Sequence, residues 1–197
     1  MTSLRALKLP SLISSLLLLA TTAHADTYEV DNRHTFPVFE IEHYSLSIQR
    51  GRFNKTTGVI QYDKEKRRVA AEITIDAKSV DMGLADRDEL MRSEKFLHTE
   101  KFPAIRFVIP EFQLSDSAKV NFIPGQLTLH GVTQPVTIAA QISCGQPPQL
   151  ARETCGANIE TTIKRSDFGM AFGLPGIGDE VNIIASVEAF KVAQKVK

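Results

Sequence analysis

The sequence predicts an all-β domain of antiparallel strands that closes into a barrel or stacks as a sandwich. Apolar and polar residues alternate with a period of two in six segments, and short turn-forming stretches separate these segments. That period gives a strand one apolar and one solvated face, and short connections favour antiparallel neighbours. Strands with one apolar face bury it against one another, which a barrel or a sandwich achieves.

The first 25 residues predict a secretory signal peptide. Arg5 and Lys8 precede an apolar run over 9–20, and an Ala-His-Ala sequence that ends at Ala25 is typical of a cleavage site. The apolar run is shorter than the ~20 residues that a transmembrane helix needs. We therefore expect cleavage after Ala25, a periplasmic domain over residues 26–197, and no transmembrane segment in that domain.

The strand segments follow one another through the rest of the chain. In each of them the residues of one parity are mainly apolar and those of the other parity are mainly polar, so each segment has a predicted inward face. The six inward faces begin at Val69, Ile105, Leu127, Val136, Ala157 and Val181.

One segment, residues 83–98, breaks the alternation. Leu84, Arg87, Leu90 and Met91 in this segment suit a helix. The segment has room for only a short helix or two, and it lies between two strands. It therefore predicts a helical lid or plug across one end of a barrel.

Cys144 and Cys155 are the two cysteines of the chain. In an exported protein an isolated pair predicts a disulfide, and the loop between these two contains turn residues. A redox pair or a metal site is the alternative. The spacing differs from C-x-x-C and no histidine is near in sequence, which favours a structural bridge.

Charge and motifs exclude several classes of function. The chain has 23 basic and 23 acidic residues, so it lacks the basic surface that nucleic-acid binding needs. No two histidines have a helical metal-ligand spacing, and no G-x-S-x-G sequence is present. We therefore predict no metal site, no catalytic residue and no cofactor.

Strings of residues in the order of the chain resemble the YceI family of exported lipocalin-like proteins. The resemblance covers essentially all of the chain after the predicted signal, and the segment from Gly125 to Val136 is its most specific part. The strings are Tyr28-x-Val30-Asp31, His34, Phe39-x-Ile41-x-His43, Gly51-x-Phe53, Gly58-x-Ile60, Arg87-Asp88, Phe102-Pro103-x-Ile105-x-Phe107, Gly125 to Val136, Arg165 to Gly169 and Gly178-Asp179-x-Val181.

That resemblance implies an eight-stranded antiparallel barrel with a long apolar lumen. It also implies that the lumen binds an isoprenoid chain, either a polyprenyl phosphate or an isoprenoid quinone. The sequence departs from the family at Pro37, where an apolar β-branched residue is usual. Because proline cannot donate to a strand ladder, we expect an edge or a bulge there.

The expected ligand contacts follow from the inward parity. Eight strands leave an interior that is either filled by side chains or holds one slender ligand. The residues expected to line the lumen are Phe39, Ile41, Ile73, Ile75, Phe107, Leu127, Leu129, Ile138, Ile163 and Ile183.

Polar groups are expected at one end of the ligand. His43 has the parity of Phe39 and Ile41, and it can contact a head group or be an ordinary core histidine. Arg87 and Asp88 can bind a polar head group, or they can form a local salt bridge that holds the lid. Arg165 and Asp167 allow the same two interpretations.

The sequence leaves three functions to compare. The first is a periplasmic protein that carries, stores or senses an isoprenoid lipid. The second is an enzyme that modifies such a lipid, and the third is an envelope protein whose barrel has no ligand. The homodimeric state is also left open.

Overall fold

A computed structural model describes residues 25–193. The predicted signal peptide lies outside the described residues except for Ala25. None of the helices in residues 25–193 has the length and hydropathy that a membrane crossing requires.

Eleven strand segments and one α-helix make up the fold. The strands are β1 (Asp26–Val30), β2 (Phe36–His43), β3 (Ser47–Phe53), β4 (Thr56–Asp63), β5 (Arg68–Asp76), β6 (Val80–Asp81), β7 (Ala104–Gln113), β8 (Asn121–Leu129), β9 (Val132–Gly145), β10 (Thr154–Lys164) and β11 (Ile177–Lys191), and the helix α1 is Ala85–Arg92. Short 3-10 helices cover Ala77–Ser79 and Arg165–Phe168.

The strands form one closed antiparallel barrel. β1 pairs with both β4 and β11, and β11 also pairs with β10 and β2. β1 and β2 are two parts of one long strand, and β3 and β4 are two parts of the next, so that β2 pairs with β3 and β1 pairs with β4. β5 and β6 are likewise two parts of one strand, in which β5 pairs with β4 and β6 pairs with β3. Three long strands are therefore interrupted, and the eleven segments occupy eight positions. The predicted eight-stranded antiparallel barrel with a short helix is confirmed.

The interruption before β2 explains the position of Pro37. Pro37 pairs with Ala185 of β11, whereas the register with β3 begins only at Val38, opposite Arg52. On the side of β3 the strand is therefore a local edge at Pro37, as predicted, and the missing N–H breaks no register pair there.

The barrel has two distinct ends. We call the end with α1 and the Arg165–Phe168 helix the lid end, and the end with the start of β1 the base. Cys144 and Cys155 face each other on β9 and β10 near the base and form a disulfide, which confirms the predicted bridge. The described residues contain no free cysteine.

The inward faces pack into two apolar clusters. The base cluster consists of Val69, Ala71, Ile109, Leu114, Ile123, Ile138 and Ala140. The lid-end cluster consists of Phe39, Phe53, Ala77, Val80, Leu97, Ile105, Leu127, Leu129, Ile163, Phe168 and Met170. The space between the barrel walls above the base cluster is the candidate functional site.

Candidate ligand-binding cavity

An apolar cavity of about 320 Å³ lies inside the barrel. Its wall is formed by the inward residues of the strands together with the inner side of the lid. Most of the base cluster lies beyond this wall, so packed side chains separate the cavity from the base.

Twelve of the thirteen predicted site residues line this cavity. They are Phe39, Ile41, His43, Ile73, Ile75, Arg87, Phe107, Leu127, Leu129, Ile138, Ile163 and Ile183. The strands bring them together because residues of one parity on every strand face the same interior. Their contact with a ligand stays a prediction.

Close packing of backbone against aromatic rings fixes the shape of two walls. A Cβ atom at Gly51 would collide with Cζ of Phe39, and a Cβ atom at Gly125 would lie 2.5 Å from Cζ of Phe107. Each ring therefore packs against a glycine of another strand, at a place where any larger residue would collide with it.

The lid closes one side of the cavity without being buried. No residue of α1 is buried, although Arg87, Leu90 and Met91 line the cavity. Among the described residues that line it, only Arg87 and Leu90 are exposed. The cavity wall therefore reaches the molecular surface at α1, and we call this place the mouth.

Arg87 and Asp88 make different contacts. The Arg87 Nη1 atom donates to Oε1 of Gln49 on β3 at 2.9 Å, which joins α1 to the barrel wall across the mouth. Asp88 does not line the cavity, because its Oδ1 accepts the backbone N–H of Met82 at 2.7 Å. No ion pair joins Arg87 to Asp88 in residues 25–193, so the salt bridge considered from the sequence is absent there. The bonds of Arg87 and Asp88 hold the lid instead, together with those that Arg92 Nη1 donates to the carbonyls of Lys78 and Val80.

Arg165 is a buried cation in the cavity wall. Its Nε, Nη1 and Nη2 atoms donate to the carbonyl oxygens of Gly178, Met170 and Ile177 at 2.7, 2.8 and 2.9 Å. Burial lowers the pKa of the guanidinium, and the nearby charge of Asp179 opposes that shift. Arg165 therefore fastens the loop that follows β10 to the start of β11, while Asp167 lies exposed nearby.

Polar atoms inside the cavity are few. Thr161 Oγ1 donates to the carbonyl of Thr137, whereas the buried Thr56 Oγ1 has no hydrogen-bond partner. His43 lies at the lid end with its ring 4.6 Å from that of Tyr44. In residues 25–193 no group of three or more histidine, cysteine, aspartate or glutamate residues is arranged to hold a metal ion.

Several wall residues come from segments with no regular alternation. They belong to the lid, to the short β6 region, to the loop before β11 and to the first residue of β11, and they include Met82, Met91, Phe96, Leu97, Met170 and Ile177. The periodicity of a strand cannot predict them. Only their apolar character within the segments around the lid could have marked them.

Comparisons with known proteins agree with this architecture. The model of the YceI-like domain matches residues 28–189. The chain is 34% identical over 183 residues to a UPF0312 protein of Pseudomonas aeruginosa, covering 91% of this chain and 94% of that protein. It is 35% identical over 179 residues to the protein YceI of Escherichia coli O157:H7, covering 89% of this chain and 92% of that protein.

Two solved structures share the fold at lower sequence identity. BcnA of Burkholderia cenocepacia has a TM-score of 0.70 at 21% identity, with 81% of this chain and 98% of that chain covered. A polyisoprenoid binding domain from Saccharophagus degradans has a TM-score of 0.65 at 17% identity, with 84% of this chain and 98% of that chain covered.

Proposed function

The chain belongs to the YceI family, and from that premise we propose that it binds an isoprenoid lipid inside its barrel and carries, stores or senses that lipid in the periplasm. The observation that carries the proposal is the apolar cavity between the packed base cluster and the lid. A solved relative of the same fold is described as a polyisoprenoid binding domain.

The cavity suits a ligand that is mostly hydrocarbon. Transfer of apolar surface from water into such a cavity contributes roughly 25 cal/mol per Å² buried. A polyprenyl chain is slender and almost wholly apolar, which suits an apolar cavity of about 320 Å³ inside an eight-stranded barrel. A strongly polar ligand would lose its hydration and find few partners in exchange, because most wall side chains are aliphatic or aromatic.

The proposed head-group position is the mouth. His43, Gln49 and Arg87 line the cavity at the lid end, where the wall reaches the surface. A quinone carbonyl or a phosphate there can accept a hydrogen bond from Arg87 and keep part of its hydration. The chain of the lipid would then extend from the mouth toward the base cluster.

Periplasmic location is part of the proposal. The Ala-His-Ala sequence that ends at Ala25 supports export, and the Cys144–Cys155 bridge is typical of proteins that fold in an oxidising compartment. N-terminal sequencing of protein from the periplasm is expected to begin at Asp26. An uncleaved Met1 on membrane-bound protein would contradict export.

Native mass spectrometry with lipid extraction tests the binding. Protein purified from its host periplasm is expected to carry an isoprenoid lipid as an additional mass. Ile183 and Ile184 are neighbours on β11 whose side chains point to opposite faces of the strand. Ile183 lines the cavity, and Ile184 is exposed. We expect Ile183→Phe to lose the lipid and Ile184→Phe to keep it.

The matched pair separates binding in the cavity from binding elsewhere. Both variants add the same apolar volume to the same strand, and circular dichroism establishes that each is folded. Equal lipid content in the two folded variants would contradict binding in the cavity. Wild-type protein that carries no lipid and takes up no added isoprenoid quinone would contradict the proposed function itself.

A further inference from the structure

Exposed apolar side chains are concentrated around the mouth. Leu46 is 85% exposed and Leu84 is 60% exposed, although both are large aliphatic residues. We call the following six residues the mouth rim: Tyr44, Leu46, Leu84, Leu90, Phe172 and Leu174. They come from the β2–β3 turn, from the lid with the residue before it, and from the loop before β11, three segments distant in sequence.

Contacts between these segments make the rim one surface. The backbone N–H of Tyr44 donates to the carbonyl of Gly176 at 2.6 Å, and the Tyr44 ring lies against Gly176. The ring of Phe172 packs 5.4 Å from that of Phe96 beside the lid. The Arg87–Gln49 hydrogen bond joins the lid to β3. A shared apolar surface of this kind marks a protein or membrane contact.

The rim is continuous with the cavity. Leu90 is 41% exposed on the rim and also lines the cavity, so the same side chain touches the interior and the outside. A lipid chain that leaves the barrel at this place passes from the apolar wall directly onto the rim. The chain avoids water along this path only if the rim is in contact with the phase in which the lipid is dissolved.

We propose that the mouth rim docks onto the surface of a lipid bilayer, so that the isoprenoid chain passes between the membrane and the cavity. The proposal rests on the proposed function, because an isoprenoid lipid resides in a membrane. Burial of the rim side chains in the acyl boundary supplies the binding free energy, and opening of α1, which has no buried residue, admits the chain.

The charges beside the rim determine the type of membrane contact. The α1 helix has three acidic residues, Asp86, Asp88 and Glu89, and two basic residues, Arg87 and Arg92. Just after the helix, the ammonium of Lys95 lies 5.0 Å from the centre of the Phe172 ring, and Glu94 precedes it. The lid therefore has no excess of positive charge. Attraction to anionic lipid is therefore not the driving force. Docking is expected on zwitterionic vesicles, and added salt is expected to change it by less than roughly twofold.

Sedimentation with phosphatidylcholine vesicles that contain no isoprenoid tests the docking alone. The test variant is Leu46→Ser with Leu84→Ser, and the matched control is Val59→Ser with Phe122→Ser, which removes exposed apolar side chains from the barrel wall. We expect the rim variant to bind vesicles roughly tenfold or more weakly than wild type, because two leucines lose their apolar burial. The control variant is expected to bind like wild type.

Loading with an isoprenoid quinone tests the connection to the cavity. The rim variant is expected to take up quinone from donor vesicles more slowly, and to reach wild-type occupancy when quinone is added from ethanol. Equal vesicle binding by the rim and control variants would overturn the docking proposal. Loss of a wild-type dimer in the rim variant without vesicles would also overturn it, because the rim would then be a contact between two copies.

The two proposals fail in different ways. If wild-type protein binds vesicles through the rim but takes up no quinone from ethanol, the proposed function fails and lipid passage fails with it, and only the membrane contact of the rim stands. If it takes up quinone and the rim variant transfers quinone from vesicles at the wild-type rate, docking fails and the proposed function stands.

Discussion

Replacement of Arg165 by lysine tests how the loop at the lid end is held. Arg165 is 3% exposed and donates from three different nitrogens to three carbonyl oxygens at 2.7–2.9 Å. A lysine keeps the positive charge but has one nitrogen, which cannot occupy the three donor positions of the guanidinium fork. At least one of the three carbonyl groups then loses its hydrogen-bond partner at a buried position.

The expected cost follows from the number of bonds. A net hydrogen bond in a protein contributes about 1–1.5 kcal/mol, and a buried group left without its partner costs somewhat more. We therefore expect Arg165→Lys to lower the free energy of unfolding by about 2–4 kcal/mol. Met170 and Ile177 both accept a bond from Arg165 and line the cavity, so retention of lipid is also expected to fall.

Urea unfolding followed by circular dichroism measures this change, with the disulfide kept intact. Arg106→Lys is the control, because the Arg106 side chain is 55% exposed and pairs only loosely with Glu72 at 3.7 Å. The control is expected to differ from wild type by less than about 0.5 kcal/mol. An equally small change for Arg165→Lys would refute the role assigned to the three carbonyl bonds.

Three further changes have expected outcomes. Arg87→Ala is expected to weaken binding of an isoprenoid quinone about tenfold by removing a charge-assisted hydrogen bond, and to leave binding of a bare isoprenoid hydrocarbon nearly unchanged. Asp88→Ala is expected to lower the melting temperature and to affect both ligands alike. Titrations with the two ligands check this contrast. Thr56→Val is expected to keep or raise stability by up to about 1 kcal/mol, because the hydroxyl it removes is buried without a partner, and a clear loss in a thermal melt would contradict that reasoning. Burial opposes ionisation of Asp31, but hydrogen bonds from Arg33 and His34 outweigh it and lower the pKa to about 2. The lowered pKa stabilises the fold at pH values above 3.8, the pKa of this carboxyl group in the unfolded chain. This contribution is about 1 kcal/mol after solvent screening, and it is lost as the pH falls toward 2. Asp31→Asn should therefore be less stable than wild type at pH 6 and equal to it at pH 2 when thermal melts are compared.

The walls of the cavity were predictable because a strand has a fixed period. If the side chains of Phe39 and Ile41 face the interior, every second side chain of the same strand also faces it, and His43 lines the cavity for this reason. The number of strands in the barrel could not be predicted from the period of a single strand. It depends on pairings such as β1 with β11, which join residues at opposite ends of the chain.

The lid was predictable as an element but not in its contacts. Its composition indicates a short helix, and α1 is such a helix. The partner of Arg87 is Gln49, 38 residues away on another strand, and nothing in the local sequence specifies that distance. Adjacency in sequence predicts a common site for Arg87 and Asp88. Successive residues on a helix point in different directions, so only Arg87 reaches the cavity.

The division of the interior into two clusters determines how the proposed lipid ligand would enter without unfolding the barrel. The base is held independently of the lid: its cluster is packed, the Cys144–Cys155 bridge joins β9 to β10, and Glu153 accepts a hydrogen bond from Tyr28 at 2.6 Å. The lid, by contrast, has no buried residue and is fastened mainly by hydrogen bonds at its surface. Segments with few buried contacts open at a lower free energy than the packed core does. Opening at the mouth therefore leaves the base cluster, and with it the register of the strands that form the cavity, in place.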